Sequence, residues 1–281
     1  MCEGSPGMIR LATMSSVCPD WSLDEVIEGM KRYGYLGLEP RVEWGHACGI
    51  EASLSADERR GVRERMEGEG LAICCVATGV RMALPDVGER GAQVDELKRY
   101  IDLAGDLGCP FVRTFGGQRD GGQPLVQVVD YVAEGYLQVV EQAEDRGVTV
   151  LMETHDDWCC SPPVRAVIER VDHANLQVLW DFMHPQRMLE APEETFLAIG
   201  MLTRHTHAHD GDYDDDGRMQ VGALGEGVID HAMPMNLLNR GGYNGYFSVE
   251  VIHQPGSDAD ADGVLRQYAE EFRRLADQCP S

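Results

Sequence analysis

The strongest constraint on the fold of this chain is a regular alternation of strand-like and helix-like segments, which runs from residue 8 almost to the end. Eight short apolar runs, rich in β-branched residues, are each followed by a segment whose apolar residues have helical spacing. Strands that alternate with helices pair in parallel and are joined by right-handed crossovers. Eight such units within 281 residues predict a single α/β domain, a (β/α)8 TIM barrel, rather than an open doubly wound sheet.

No linker divides these units, so we expect one domain over residues 1–281, with residues 1–7 as a flexible extension. The predicted strands cover residues 9–14, 36–41, 71–80, 110–115, 148–153, 178–183, 205–209 and 246–251. The predicted helices cover residues 22–33, 55–70, 93–108, 124–147, 162–171, 192–199, 228–240 and 262–275. Two helices begin with a capping box, Ser22 with Glu25 and Ser55 with Glu58. The acidic stretch 212–218 is expected to be disordered.

Composition restricts the partners of the chain. The formal net charge is −24, from 24 basic and 48 acidic residues, and such a surface repels phosphate backbones and anionic membranes. We therefore expect no nucleic acid and no membrane as partners. The nine cysteines include no CxxC pair, which favours a reducing compartment. We expect a cytoplasmic protein, and the acidic outer helices are compatible with a monomer or a homo-oligomer.

The last four strands each end in residues of the kind that bind metals. The segments are VLMETH, VLWDFMH, TRHTHAHD and FSVEVIH, and they present Glu153, Asp181, His207 and Glu250. In a barrel these strand ends meet at one mouth, where crowded charges are costly unless they are paired or metal-bound. Three carboxylates and one imidazole favour a hard divalent cation, Mn²⁺ first, with Mg²⁺, Co²⁺ or Zn²⁺ as alternatives, over a structural zinc site built on thiolates.

Side-chain alternation narrows the choice among three histidines of one strand. His205, His207 and His209 point to the same face, because side chains on a strand repeat with period two. Two residues along a strand cover about 7 Å, so only one or two of the three imidazoles reach a central ion. We predict His207 as the ligand, His209 in the wall of the mouth, and His205 deeper, as a core histidine.

Other polar residues at the strand ends are expected to line the mouth and bind substrate. They are Glu39, Arg41, Arg113, His155, His184 and His209. The rim arginines Arg41, Arg81, Arg113 and Arg119 are suited to a phosphate or carboxylate, or to structural ion pairs. The sequence leaves open whether the substrate is phosphorylated.

Glu153 and Glu250 would face each other across the cation and are predicted as the catalytic acid/base pair. A cation that chelates a carbonyl and the neighbouring hydroxyl acidifies the C–H bond between them and stabilises the enediolate. One glutamate then removes a proton and the other returns it. This mechanism predicts isomerisation or epimerisation of a sugar, keto-sugar or polyol derivative.

The motifs METH, WDFMHP, HTHAHD and SVE, with LGEG between the last two, resemble those of the xylose-isomerase-like TIM-barrel superfamily of sugar isomerases and epimerases. GLEPRVEWGHACG, CCVATGVR and FVRTFGG extend the resemblance through the first half. It implies that Glu153, Asp181, His207 and Glu250 bind the metal. It also implies that Glu153 and Glu250 form the acid/base pair and that His184 binds substrate.

Several positions depart from particular members of that superfamily. Many members carry a lysine at the position of His209. The ketohexose epimerases carry an arginine where Tyr213 stands, which argues against their substrate. The three-zinc endonuclease IV group requires histidines near Thr78 and Arg113, so its activity is not expected. The alternative function is a metal-dependent dehydratase of an inosose- or dehydroshikimate-like keto-polyol. A barrel that binds a sugar without turnover is disfavoured by the intact glutamate pair.

Overall fold

The computed structural model describes residues 9–279, so the extension predicted at residues 1–7 lies outside the described residues. The strands are Arg10–Met14 (β1), Gly37–Glu39 (β2), Ala72–Ile73 (β3), Val76–Arg81 (β4), Phe111–Phe115 (β5), Thr149–Glu153 (β6), Leu176–Asp181 (β7), Thr203–Ala208 (β8), Asp210–Tyr213 (β9), Met219–Gly222 (β10) and Tyr246–Val249 (β11). The helices are Leu23–Tyr33 (α1), Ala56–Gly68 (α2), Val87–Leu107 (α3), Leu125–Leu137 (α4), Val140–Asp145 (α5), Ser161–Val171 (α6), Met183–Arg187 (α7), Pro192–Ile199 (α8), Ala232–Arg240 (α9) and Ala261–Asp277 (α10).

The parallel strands form a nearly closed barrel in the order β3, β2, β1, β11, β8, β7, β6, β5, β4. The two ends of this sheet, β3 and β4, are halves of one strand interrupted at Cys74 and Cys75. Cys74 N donates to Leu38 O at 2.9 Å and Ala77 N donates to Pro40 O at 2.9 Å, so the interrupted strand still joins its neighbour. Eight strand positions result, and the predicted (β/α)8 barrel is confirmed.

Successive side chains of each strand point alternately to the core between sheet and helices and to the interior of the barrel. Val112, Val150 and Val178 face outward and belong to the main core between sheet and helices. Leu151 and Leu179 face inward and form a small apolar cluster inside the barrel. Two residues further along the same strands, inward positions are polar, and this period-two pattern delivers charged side chains to the mouth. The opposite, amino-terminal end holds a separate cavity of about 510 Å³, lined in part by Arg10, Phe111 and Tyr246.

Both predicted capping boxes form. Ser22 caps α1 and Ser55 caps α2. In each case the carboxylate of the glutamate three residues later accepts a hydrogen bond from the backbone N–H of the capping serine. Helix α1 ends at Gly34, whose φ of 85° is a left-handed conformation that glycine adopts at low cost. These local signals fix where the first two helices begin because they satisfy backbone N–H groups that the helix leaves free.

Three helix predictions were wrong in extent, one of them because α9 begins at Ala232 rather than at residue 228. Helix α3 begins six residues earlier than expected, because the Asp86 carboxylate accepts a bond from Glu89 N at 2.9 Å. The helix expected over residues 124–147 is divided into α4 and α5. Val139 and Val140 are adjacent and both buried, whereas a continuous helix would turn consecutive side chains about 100° apart. The break lets both valines enter the core.

The acidic stretch expected to be disordered at residues 212–218 instead belongs to a hairpin of β9 and β10. Its turn is closed by Asp214, whose carboxylate accepts bonds from Asp216 N and Arg218 N.

Among the described helices, none combines the length and the apolar character that a membrane span requires. The cysteines of this part of the chain are free thiols.

Candidate active site

The four residues predicted to bind a metal converge at the carboxyl ends of their strands, and we refer to Glu153, Asp181, His207 and Glu250 together as the ligand group. Glu153 and Asp181 end β6 and β7, His207 lies in β8, and Glu250 directly follows β11. One ligand atom from each lies within 4.8 Å of the others, and all four side chains are buried. The period-two alternation of the strands therefore brings together residues that are up to 97 positions apart, from 153 to 250.

His207 occupies the centre of this group. Its Nδ1 atom lies 3.1 Å from Glu153 Oε1 and 3.2 Å from Glu250 Oε2. Its Nε2 atom lies 3.0 Å from Glu39 Oε1. Burial alone lowers the pKa of His207, but the carboxylates of Glu39, Glu250 and Glu153 outweigh it and hold the pKa well above the usual value. Without a cation, the imidazole is therefore protonated, and its Nδ1 faces both Glu153 and Glu250.

The donor set fits one divalent cation. Within residues 9–279, Glu153 Oε2 and Asp181 Oδ2 are buried and have no hydrogen-bond partner. Asp181 Oδ1 accepts bonds from Met183 N and His184 N, at 2.8 and 3.2 Å, which orients the carboxylate. Burying several carboxylates is costly unless a cation compensates them. Three oxygen donors and one imidazole nitrogen suit Mn²⁺, Mg²⁺, Co²⁺ or Zn²⁺.

Glu39 is hydrogen-bonded to residues of two other strands, β8 and β11. Its side chain is fully enclosed beneath the ligand group, where it receives bonds from Ser248 Oγ at 2.7 Å and His205 Nε2 at 2.8 Å. Its other carboxylate oxygen, Oε1, lies 3.0 Å from His207 Nε2. His205 is the buried, hydrogen-bonded core histidine that the alternation predicted.

Three predicted substrate-binding histidines form one wall of the mouth. The ring of His155 lies 4.5 Å from that of Phe115 and 4.5 Å from that of His184. The rings of His184 and His209 lie 5.6 Å apart. His209 Nε2 lies 3.0 Å from Asp181 Oδ2, and Asp181 raises the pKa of His209 to about 9 against the opposing effect of burial. This wall is adjacent to two of the carboxylates.

Arg113 and Arg41, both predicted to bind substrate, lie near Glu153 and Glu250. Arg113 Nε is 3.3 Å from Glu153 Oε2, and Arg41 Nη1 is 4.0 Å from Glu250 Oε1. Arg113 is fully enclosed and Arg41 is only 8% exposed. Burial, followed by the charge of Arg113, lowers the pKa of Arg41 to about 10. Arg113 thus lies in the middle of β5 and Arg41 just after β2, each beside one of these glutamates.

The residues that orient these arginines carry a weaker signal in the sequence. The guanidinium of Arg41 lies 3.7 Å from the centre of the Trp44 ring, and that of Arg113 lies 4.0 Å from the Phe115 ring. Ser15 Oγ accepts a bond from Arg41 N at 2.8 Å and contacts His46 Nδ1 at 2.8 Å. Trp44 and His46 stand within the GLEPRVEWGHACG segment, so its aromatic residues were the available clue.

Asp210 explains the LGEG motif. Its Oδ1 accepts bonds from Gly211 N and Ile229 N, and its Oδ2 from Gly225 N and Gly227 N, at 2.8 to 3.2 Å. A Cβ atom at Gly227 would lie 2.2 Å from Gly211 O, so this close approach requires glycine. The carboxylate therefore fastens the loop of residues 223–229 beside the mouth.

Comparison with known proteins gave one family and one curated relative. The family model described as "Xylose isomerase-like TIM barrel" matches residues 27–279. An uncharacterised protein of Methanocaldococcus jannaschii is 28% identical over 151 residues, which cover 51% of this chain and 50% of that protein. The match thus spans about half the length of the curated relative.

Solved structures share the fold at low sequence identity. The IolI protein with a bound zinc atom has a TM-score of 0.83 at 15% identity, covering 97% of this chain and 100% of that one. The probable 3-DHS dehydratase AsbF of Bacillus anthracis has a TM-score of 0.77 at 16% identity, covering 94% and 99%. L-ribulose 3-epimerase has a TM-score of 0.77 at 20% identity, covering 96% and 94%.

Proposed function

This chain belongs to the xylose isomerase-like TIM barrel family, and from that premise we propose that it is a divalent-metal-dependent isomerase or epimerase of a sugar, keto-sugar or polyol derivative. The observation that carries the proposal is the buried group of Glu153, Asp181, His207 and Glu250, whose ligand atoms lie within 4.8 Å of one another. The zinc in the IolI structure and the activity named for L-ribulose 3-epimerase support it by analogy of fold.

In this proposal Glu153, Asp181, His207 and Glu250 hold one cation, Mn²⁺ in preference to Mg²⁺, Co²⁺ or Zn²⁺. When bound, the cation acts as a Lewis acid that polarises the substrate carbonyl and lowers the pKa of the neighbouring C–H group. The enclosed carboxylates bind it without competition from bulk water, because all four side chains are buried. Glu39 keeps the His207 ring in one orientation through its contact with Nε2.

Glu153 and Glu250 carry the proton in this proposal. Each places a carboxylate oxygen close to the same atom, His207 Nδ1, at 3.1 and 3.2 Å, so the two groups flank one point from different strands. A general base must come within about 2.6–3.2 Å, measured between heavy atoms, of the group that gives up the proton. One glutamate removes the proton and the other returns it, to the opposite face in epimerisation or to the neighbouring carbon in isomerisation.

His155, His184 and His209 orient the substrate. Neither ring nitrogen of His184 has a hydrogen-bond partner among residues 9–279, and both are available to hydroxyl groups of a sugar. The rings of His155 and Phe115, 4.5 Å apart, limit the entry of water on the same side. Exclusion of water protects a carbanion-like intermediate from unwanted protonation.

Metal analysis and a substrate panel test the proposal. We expect the purified protein to contain close to one divalent ion and to interconvert at least one ketose or keto-polyol with its isomer or epimer. Glu153→Ala should weaken Mn²⁺ binding strongly, because it removes a ligand. Asp157→Asn, which alters a rim carboxylate outside the ligand group, serves as the matched control. A metal-free active protein, or unchanged Mn²⁺ affinity in Glu153→Ala, contradicts the proposal.

A dehydratase of a keto-polyol is the second candidate. It shares removal of a proton beside a carbonyl and differs in the loss of a hydroxyl group as water. The pair of imidazoles from His155 and His184, 4.5 Å apart beside Glu153, favours it because an imidazolium can protonate the departing hydroxyl. The fold shared with the probable dehydratase AsbF agrees with this. Mass spectrometry distinguishes the candidates, since only dehydration gives a product lighter by one water.

A further inference from the structure

The unsatisfied donors at the mouth point to a class of substrate. Resting on the proposed function, we infer that the substrate carries an oxyanion, a carboxylate or a phosphate group, which is bound between Arg41 and Arg113. This inference concerns the part of the substrate away from the carbon that exchanges its proton. It therefore specifies the kind of sugar or polyol derivative rather than the reaction.

Arg113 is the anchor of this subsite. Its side chain is fully enclosed, and only Nη1 has a strong partner, Thr78 O at 2.8 Å. Nη2 and Nε have no hydrogen-bond partner in the part of the chain that the structure describes. Nε lies 3.3 Å from Glu153 Oε2, an ion pair without hydrogen-bond alignment. An enclosed guanidinium with two unpartnered nitrogens, which together carry three N–H groups, is costly to leave unsatisfied.

Arg41 forms the other side. Its Nε is buried and also lacks a partner among residues 9–279, while Nη1 lies 4.0 Å from Glu250 Oε1, too far for a hydrogen bond. The guanidinium stacks on Trp44 at 3.7 Å, and Arg113 stacks on Phe115 at 4.0 Å. Stacking fixes the face of a guanidinium and leaves its N–H edge for a ligand.

The N–H groups of Arg41 and Arg113 that lack hydrogen-bond partners favour an anion over a neutral hydroxyl as their ligand. A cation at the proposed metal site would satisfy Glu153 Oε2 and Asp181 Oδ2, which lie near Arg113 and His209 but accept no aligned hydrogen bond within residues 9–279. The groups left over at Arg41 and Arg113 are donors only. A carboxylate or phosphate is an acceptor with two or three oxygens and matches the fork of arginine in bidentate geometry. A hydroxyl supplies one weaker acceptor and brings a donor of its own.

Arg119 is a rim arginine whose charge is balanced by a nearby exposed carboxylate, Asp157. Its Nε also lacks a hydrogen-bond partner among residues 9–279, but its side chain is about one-third exposed and lies 3.9 Å from Asp157, which accepts a bond from Arg119 N. Its charge is thus shared with an exposed carboxylate outside the ligand group. Arg41 and Arg113 are both enclosed and stack on aromatic rings. This contrast makes Arg119 a suitable control.

Calorimetric titration of the Mn²⁺-loaded protein with three matched ligands tests the inference. Erythritol is neutral, erythronate carries a carboxylate, and erythritol 4-phosphate carries a phosphate. We expect one of the charged ligands to bind about tenfold or more tightly than erythritol, as charge-assisted bonds imply. The tighter of the two identifies the oxyanion. Arg41→Gln should reduce this preference to within about threefold, Arg41→Lys should keep part of it, and Arg119→Gln should leave it unchanged.

Three results overturn the inference. They are equal binding of erythritol and the charged ligands, no binding of either charged ligand, and a preference that survives both Arg41→Gln and Arg113→Gln. Circular dichroism checks that the enclosed Arg113 variant is folded, and the more accessible Arg41 variants give the same test. Mn²⁺ titration without polyol is run in parallel. Loss of metal binding with retained anion preference counts against the proposed function alone, and the reverse result counts against the subsite alone.

Discussion

Among the single residues of the site, His207 contacts carboxylates through both of its ring nitrogens. Its Nε2 atom faces Glu39, and its Nδ1 atom faces Glu153 and Glu250. If Nε2 donates its proton to Glu39, the lone pair of Nδ1 is directed at the ligand group. A carboxylate that fixes the tautomer of a metal-binding histidine in this way also strengthens the histidine as a ligand.

Metal binding should therefore release a proton. The raised pKa of His207 means that the imidazole is protonated near pH 7 in the absence of a cation. A cation must displace that proton, so its affinity should rise by about tenfold per pH unit and level off above the pKa of His207. Titration calorimetry of Mn²⁺ in buffers with different ionisation enthalpies measures the protons released. A pH-independent affinity with no proton release contradicts this account.

Glu39 should influence the metal from outside the ligand group. Glu39→Gln removes the charge that His205 and His207 share, and we expect Mn²⁺ affinity to fall by about 10- to 100-fold. Ser248→Ala removes one neutral donor to the same carboxylate and should have a much smaller effect. Equal affinity in Glu39→Gln and the wild type would mean that this carboxylate has only a packing role.

The sequence predicts the elements of this barrel well where local chemistry decides them. Ser22 and Ser55 define helix starts, and the ligand residues follow apolar strands as expected. It predicts poorly where tertiary contacts decide. The interruption at Cys74 depends on pairing with β2, and residues 228–231 leave the predicted helix because Val228 N bonds Gly211 O. The enclosed position of Glu39 depends on two other strands, β8 and β11, so its neighbours in sequence carried no signal.

The loop of residues 223–229 depends on one carboxylate. Asp210→Asn leaves one acceptor oxygen and turns an amide donor toward backbone N–H groups, so we expect a loss of stability of about 1–3 kcal/mol. Hydrogen exchange should show lost protection at residues 223–229, and urea unfolding measures the stability. Asp212→Asn, in the exposed part of β9, is the matched control. Unchanged exchange in Asp210→Asn contradicts the anchoring role.

Over the whole molecule, the site couples elements that are distant in sequence. The ligand residues stand on four strands, and Glu39 links β2 to β8 and β11. The barrel was predictable because eight strand–helix units leave few topologies. The level of each side chain along the barrel axis was not, since it depends on the register between strands.

A cation that bridges four strands should stabilise the entire fold. Ligand that binds only the folded state at about 100 times its dissociation constant adds about 2.7 kcal/mol. We expect Mn²⁺ to raise the melting temperature of the wild type, chelation to reverse the effect, and Asp181→Asn to lose most of it. Scanning calorimetry with and without Mn²⁺ measures this. An equal increase in the variant would place the binding elsewhere.

Solvent deuterium exchange tests the central claim most directly. The Mn²⁺-loaded protein is incubated in D₂O with ketoses and keto-polyols, and deuterium uptake beside the carbonyl is followed by NMR. We predict uptake by the wild type and by Asp157→Asn, with a loss of about 10²- to 10⁴-fold in Glu153→Gln and in Glu250→Gln. Uptake that is absent from the wild type, or undiminished in both glutamate variants, contradicts proton transfer by this pair.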